Sequence, residues 1–156
     1  MIYIGIDPGS KGGISVIGEE PSRFDEAYTY SDNNMLDIIN AVEEHKFGVF
    51  CCVEQVHSMP RDGVKGAFSF GKNFGYILGV LEANKIPYQL VPPNKWKKEF
   101  SLDSDKQKSI DCAKRLFPNV SLLPTERCRK EHDGMAESLL IAEWGRRHYE
   151  GVKSKT

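Results

Sequence analysis

The chain has 156 residues, 40% hydrophobic and 28% charged, with a formal net charge of -1. That suits a single globular domain over residues 1–156 with a sizeable core, and it excludes a disordered or fibrous chain. No apolar run approaches the roughly 20 residues that span a bilayer, and the start MIYIGIDPGSKGG lacks the basic region of a signal peptide, so a cytoplasmic protein with no membrane contact is expected.

The first segment alternates, with Ile2, Ile4 and Ile6 on one face and Tyr3, Gly5 and Asp7 on the other, the period of a strand. Pro8-Gly9-Ser10-Lys11-Gly12-Gly13 is turn chemistry, and Ile14–Ile17 returns as a second strand to make a hairpin. Residues 27–30 suit a third strand. Ser31 or Asp32 caps a helix reaching about Glu44, with Met35, Leu36, Ile39 and Val42 on one stripe. The run VFCCV at 49–53 reads as a buried strand, with Glu54 at its end. After a loop over 56–62, the spacing predicts a long helix over 66–84 and a strand over 87–91. Shorter helices follow over 94–100 and 104–117, and a strong helix runs from Asp133 to about Tyr149. A leading hairpin followed by alternating helices and strands predicts an α/β domain with a mixed sheet.

Charge divides unevenly along this order. Residues 1–93 carry 7 Lys and Arg against 12 Asp and Glu, whereas residues 94–156 carry 14 against 10. The basic C-terminal portion hints at a polyanionic partner, although a charge run is also an ordinary solvated face.

Acids end two core strands. Asp7 extends the Tyr3–Gly5 face, and turn or cap chemistry beside Pro8-Gly9 is the plain alternative. Glu54 is either a strand-end residue turned to solvent or one of a pair on the same sheet edge. On the last helix, Ala136, Leu140 and Trp144 recur at four-residue spacing and mark the stripe expected to face the sheet. Asp133 continues that stripe, and Glu137 lies one turn on; N-terminal capping explains Asp133 better than Glu137. Four carboxylates brought together would repel one another unless a cation neutralised them. Oxygen-only donors suit Mg2+ or Mn2+, and two such ions about 4 Å apart activate water on a phosphodiester.

GIDPGSKGG at 5–13, VEQVH at 53–57 and HDGMAESLLIA at 132–142 resemble, in this order, the RuvC family of Holliday junction resolvases, within the ribonuclease H-like superfamily. The short length is most like the phage-borne branch, as in lactococcal phages. The resemblance implies a ribonuclease H-like α/β fold, a five-stranded mixed sheet flanked by helices. It also implies a homodimeric endonuclease, dependent on two Mg2+ ions with Mn2+ as substitute. Such an enzyme cuts branched DNA in recombination, repair or phage DNA processing, leaving a 5′-phosphate and a 3′-hydroxyl. Four-way junctions are the expected substrate, forks and flaps stay open, and no small-molecule substrate is expected. Asp7 matches the family's first-strand aspartate, Glu54 its central glutamate and Glu137 its last acid. Three residues before that last acid the family carries an acid or histidine, where this chain has Gly134. Asp133 substitutes, with His132 one residue further off.

Lys95, Lys97 and Lys98 flank Trp96 after the last strand and are assigned to DNA, where phosphate contacts give affinity with little sequence reading. Lys106 and Lys114 read as surface lysines. In the 57–62 loop, Met59 and Arg61 are candidates for contact at the crossover, Met59 as a wedge between bases; a plain surface loop is the alternative. Gly71, Gly75 and Gly79 repeat every four residues on the long helix, at about 1 kcal/mol each relative to alanine. Such a row marks close approach either of this chain's own sheet or of a second backbone; the family's dimerisation favours the two-fold partner. Cys51 and Cys52 point opposite ways in a strand, and Cys128 with His132 has no second pair, so no zinc site is expected.

Two other classes compete. A binding module with a decayed site would be expected to lose the carboxylates. A sugar kinase or actin-like ATPase shares an Asp-Gly hairpin but needs two lobes, beyond the reach of 156 residues.

Overall fold

The computed structural model describes residues 1–19, 23–43, 48–57 and 63–151. Ten elements follow in chain order: β1 (Ile2–Asp7), β2 (Gly13–Gly18), β3 (Asp25–Thr29), α1 (Asp32–Glu43), β4 (Val49–Glu54), α2 (Gly63–Ala83), β5 (Tyr88–Val91), α3 (Pro93–Glu99), α4 (Lys106–Leu116) and α5 (Asp133–His148). The five strands form one sheet in the order β3-β2-β1-β4-β5. β1 runs antiparallel to β2, and β2 to β3, while β4 lies parallel to both β1 and β5. This is the five-stranded mixed sheet that was expected.

Two apolar layers cover the sheet, and strand parity sorts side chains between them. Ile2, Ile4, Ile6, Cys51 and Val53 pack with Met35, Ile38, Ile39 and Val42 of α1 and with Ile77 and Leu81 of α2. Tyr3 and Cys52 point the other way, into a cluster with Trp96, Ile110, Leu139 and Leu140. The adjacent cysteines therefore separate as expected, and all four thiols are free. Since Tyr3 and Asp7 share parity, as do Cys52 and Glu54, both strand-end acids belong to the α5 face.

α5 is buried from Gly134 through Gly145, and it meets the sheet through small residues. A β-carbon at Gly5 would collide with the carbonyl oxygen of Ser138 and the amide of Ala142, one at Gly13 with the backbone of Gly134, and one at Gly145 with the thiol of Cys52. The closest approach to the sheet therefore comes from Gly134, Ser138, Ala142 and Gly145. That row differs from the Ala136–Leu140–Trp144 stripe expected to face the sheet, although all three of those residues are buried. Small residues let the helix axis descend onto β1, and the Ser15 and Ser138 hydroxyls hydrogen-bond across the contact.

Element ends follow local chemistry. Ser31 Oγ accepts from the amide of Asn34 at 3.0 Å, which makes it the cap of α1. Asp105 caps α4 by accepting from the Gln107 amide at 2.9 Å, so the helix begins at Lys106, two residues past the expected start. α2 starts at Gly63, earlier than the expected residue 66. Among the described residues, no helix is long and apolar enough to cross a membrane.

Candidate active site

Register brings the first two acids together. Gly5 pairs with Cys52 and Ile6 with Val53 on the parallel β1–β4 ladder, so Asp7 and Glu54 end neighbouring strands at the same edge and on the same face. Asp7 stands opposite Gly13 as the last paired residue of β1, a strand end and not a helix cap. Glu54 is 9% exposed, which overturns the reading of a strand-end residue turned to solvent.

α5 begins above this edge. Its cap is His132, whose Nδ1 accepts from the Met135 amide at 3.2 Å; this gives the histidine a structural task and leaves Asp133 free of capping. Glu137 is 2% exposed. A buried carboxylate needs compensating partners, and it has three. Lys106 Nζ lies 3.0 Å from its Oε2, Lys97 Nζ 3.6 Å from its Oε1, and Ser109 Oγ donates to Oε1 at 3.3 Å. Lys106 also reaches Asp133, at 3.3 Å.

The four acids feel one another. Burial pushes Asp7 well above the usual carboxylate range, and the charges of Glu54, Glu137 and Asp133 push further in the same direction against the opposing Lys106. Glu54 is also raised, first by burial, with Glu137 adding to the rise while the Trp96 hydrogen bond, Lys97 and Lys106 oppose it. Asp7, Glu54, Asp133 and Glu137 thus form one electrostatic group. They are not drawn into a cage, however: among the described residues no three His, Cys, Asp or Glu side chains stand in a metal-holding arrangement. Lys106 instead spans the Asp133–Glu137 pair. Carboxylate oxygens in mutual repulsion, with an ammonium already drawn between two of them, are a donor set that fits a hard divalent cation.

Gly134 is glycine for a steric reason. A β-carbon there would collide with the carbonyl of Lys11 and the backbone of Gly12, so the β1–β2 turn leaves no room for a ligand side chain at that position. The next carboxylate in the same turn is Asp133.

The basic residues divide. Lys97 enters the acid group and lies over the Trp96 ring, 5.3 Å from its centroid. Lys95 is exposed and sits over Trp144 at 5.6 Å, and Lys98 is exposed on the same short helix. Lys106, read from sequence as a surface lysine, belongs to the site; Lys114 pairs with Glu131 at 2.5 Å, as a surface lysine does. Trp96 and Ser109 were not among the expected site residues, and they contact Glu54 and Glu137 respectively. Met59 and Arg61 lie outside the described residues.

The glycine row of α2 does not pack on its own sheet. Gly71, Gly75 and Gly79 are exposed, and a β-carbon on any of them would meet nothing within 4 Å. At helical spacing the same face continues through Phe68, 75% exposed, and Val64, 89% exposed.

No family model matches the chain, and no curated protein matches it in sequence. Solved structures do. The structure of Thermus thermophilus RuvC matches with a TM-score of 0.60 at 16% identity, over 94% of this chain and 96% of that one. T. thermophilus RuvC in complex with a Holliday junction substrate matches with a TM-score of 0.62 at the same identity and coverage. The fold is therefore the RuvC type of ribonuclease H-like α/β fold.

Proposed function

We propose that this protein is a divalent-metal-dependent endonuclease that cuts branched DNA, four-way junctions first among its substrates. The observation that carries the reading is the convergence of Asp7, Glu54, Asp133 and Glu137 from β1, β4 and α5 into one electrostatic group, on a fold shared with a protein solved on a Holliday junction. The order of GIDPGSKGG, VEQVH and HDGMAESLLIA along the chain supports the same family, in its phage-borne branch, and a role in recombination or phage DNA processing.

Asp7, Glu54, Asp133 and Glu137 would hold two Mg2+ ions, or Mn2+ in their place. Bound there, the ions would supply an activated water and charge stabilisation at the leaving oxygen of the phosphodiester; the products would be a 5′-phosphate and a 3′-hydroxyl. The chain's own residues prepare the site. Burial and mutual repulsion make the acids a sink for positive charge. Lys97 and Lys106 pair with the buried Glu137 and fix its carboxylate, and both ammoniums, placed beside the acids, offer contacts to an approaching phosphate. Lys95 and Lys98, exposed on α3, offer non-specific phosphate contacts along the strand. Met59 and Arg61 remain the candidates for contact at the crossover. The face of Val64, Phe68, Gly71, Gly75 and Gly79 is proposed as the two-fold contact of a homodimer, which would set two sites on opposing strands.

Incubating the purified protein with an end-labelled synthetic four-way junction and the matching linear duplex, in Mg2+ and in EDTA, tests the reading. Paired nicks in the junction with Mg2+, and none in EDTA or in the duplex, are expected. Equal cutting of duplex and junction, or cutting in EDTA, would overturn it.

A further inference from the structure

Glu54 has a neighbour that the metal reading alone does not call for. Trp96 is 0% exposed, and its indole Nε1 donates to Glu54 Oε2 at 2.7 Å. Local geometry delivers it there. Glu54 pairs with Val91 on the parallel β4–β5 ladder, Pro92 and Pro93 end the strand and start α3, and one turn later the chain returns the indole to the acid opposite Val91. A buried indole N–H must find an acceptor, and one placed on a carboxylate makes a strong, charge-assisted bond. The other surface of the same side chain serves the second acid: its ring lies under Lys97, whose ammonium pairs with Glu137.

We infer that Trp96 is the positioning residue of the metal site, its indole N–H anchoring Glu54 through Oε2 so that the other carboxylate oxygen is presented in one fixed orientation to a divalent cation. The inference rests on the metal-dependent reading of the same site. Partners that orient a ligand in this way are commonly worth 10–100-fold in metal affinity. The tryptophan acts through Glu54 and Lys97 and touches no reacting atom.

Sequence composition makes a clean experiment possible, because the chain has two tryptophans, Trp96 and Trp144. In a Trp144→Phe parent, Trp96 is the one site at which biosynthetic incorporation can replace tryptophan by 3-benzothienylalanine. That isostere keeps the ring's shape and substitutes sulfur for the N–H, so it separates hydrogen bonding from packing. Mn2+ affinity, measured by electron paramagnetic resonance of the free ion without DNA, is compared for the parent, the isostere-labelled protein and parent carrying Glu54→Gln. Junction kinetics are measured in parallel, and circular dichroism verifies that each protein is folded. The parent is expected to bind Mn2+ in a manner lost with Glu54→Gln. The labelled protein is expected to bind about 10-fold more weakly, with kcat lowered and KM for the junction unchanged. Unchanged Mn2+ affinity in the labelled protein, beside Glu54-dependent binding in the parent, would overturn the positioning role and leave the nuclease reading standing. Parent binding that ignores Glu54→Gln would instead overturn the metal assignment, and the role of Trp96 with it.

Discussion

Lys106 bridges to Glu137 across the opening of α5, its ammonium 3.0 Å from Oε2 and 3.3 Å from the Asp133 carboxylate. An internal cation thus stands on the pair of acids proposed to hold a metal, and any divalent ion arriving there competes with it. Lys106→Met is expected to cost the metal-free protein about 1 kcal/mol, a modest figure because the lysine side chain is 56% exposed and Lys97 remains. It is also expected to enlarge the stabilisation by saturating Mg2+, since the competitor is gone. Thermal unfolding with and without Mg2+ checks both; an unchanged Mg2+ effect would contradict the competition.

Asp7 carries a penalty that depends on pH. Its folded pKa lies above the ordinary 3.8 because of burial first and the neighbouring acids next. The folded state therefore favours the neutral form, and the stability from that preference is present below pH 3.8 and lost as pH rises through the folded pKa. Asp7→Asn removes the penalty. Metal-free Asp7→Asn is expected to melt ~2–4 °C above wild type at pH 7, with the gap closing toward pH 3.8. A melting scan across pH checks this, and a variant less stable than wild type at pH 7 would contradict it.

Gly134→Asp would put a carboxylate at the position where the family resembled in sequence carries an acid or histidine, in a place with no room for it. The new β-carbon would meet the Lys11 carbonyl and Gly12, backbone that cannot swing aside. Overpacking of this kind costs about 1–3 kcal/mol. Denaturant unfolding is expected to show a loss at the upper end, with no gain in Mn2+ affinity. A stable variant with tighter Mn2+ binding would contradict the steric account.

Much of this site is legible in the residue order. Alternation through Ile2, Ile4 and Ile6 puts Asp7 on the opposite face, and VFCCV ending at Glu54 does the same for a second strand; parity needs no tertiary information. What it cannot supply is the return of distant elements. Lys106 looks like any exposed helix-start lysine until α4 is laid beside α5, and Trp96 looks like a core aromatic until β4–β5 pairing sets it under Glu54. A tryptophan five residues after the strand that follows the acid-ending strand is the available signal. The apolar stripe Ala136–Leu140–Trp144 is buried, but the closest approach to the sheet is set by small residues that hydrophobic periodicity does not mark: Ser138 and Ala142 at β1, Gly134 at the β1–β2 turn and β2, and Gly145 at β4. The glycine row of α2 is ambiguous in sequence; its exposure excludes packing on this chain's own sheet, and the second chain is the proposed alternative.

Glu143, 5% exposed, tests stability away from the site. Arg146 donates to both its oxygens at 2.8 Å, and Arg147 Nε to Oε1 at 2.7 Å. Burial alone would raise its pKa, but these bonds outweigh it and hold the carboxyl below the ordinary 4.5. Its contribution is present above pH 4.5 and lost as pH falls through the folded value. Glu143→Gln is expected to lose about 1–3 kcal/mol at pH 7 and less below pH 4.5, read by denaturant unfolding at each pH. A deficit that grows on acidification would contradict this.

Gly75→Leu tests the proposed two-fold contact. Nothing lies within 4 Å of a β-carbon there, so the single chain tolerates the side chain and gains helix propensity of about 1 kcal/mol. Sedimentation velocity is expected to show a dimer for wild type and a well-folded monomer for the variant. A variant that dimerises as wild type does would place the contact elsewhere.

The most direct measurement pairs binding with cutting on one substrate. Wild type and Asp7→Asn are each mixed with a labelled four-way junction, with gel shift in Ca2+ reading binding and denaturing gels in Mg2+ reading cleavage. Retained junction binding with cleavage lost in Asp7→Asn is the predicted result; cleavage by the variant at the wild-type rate would contradict the account.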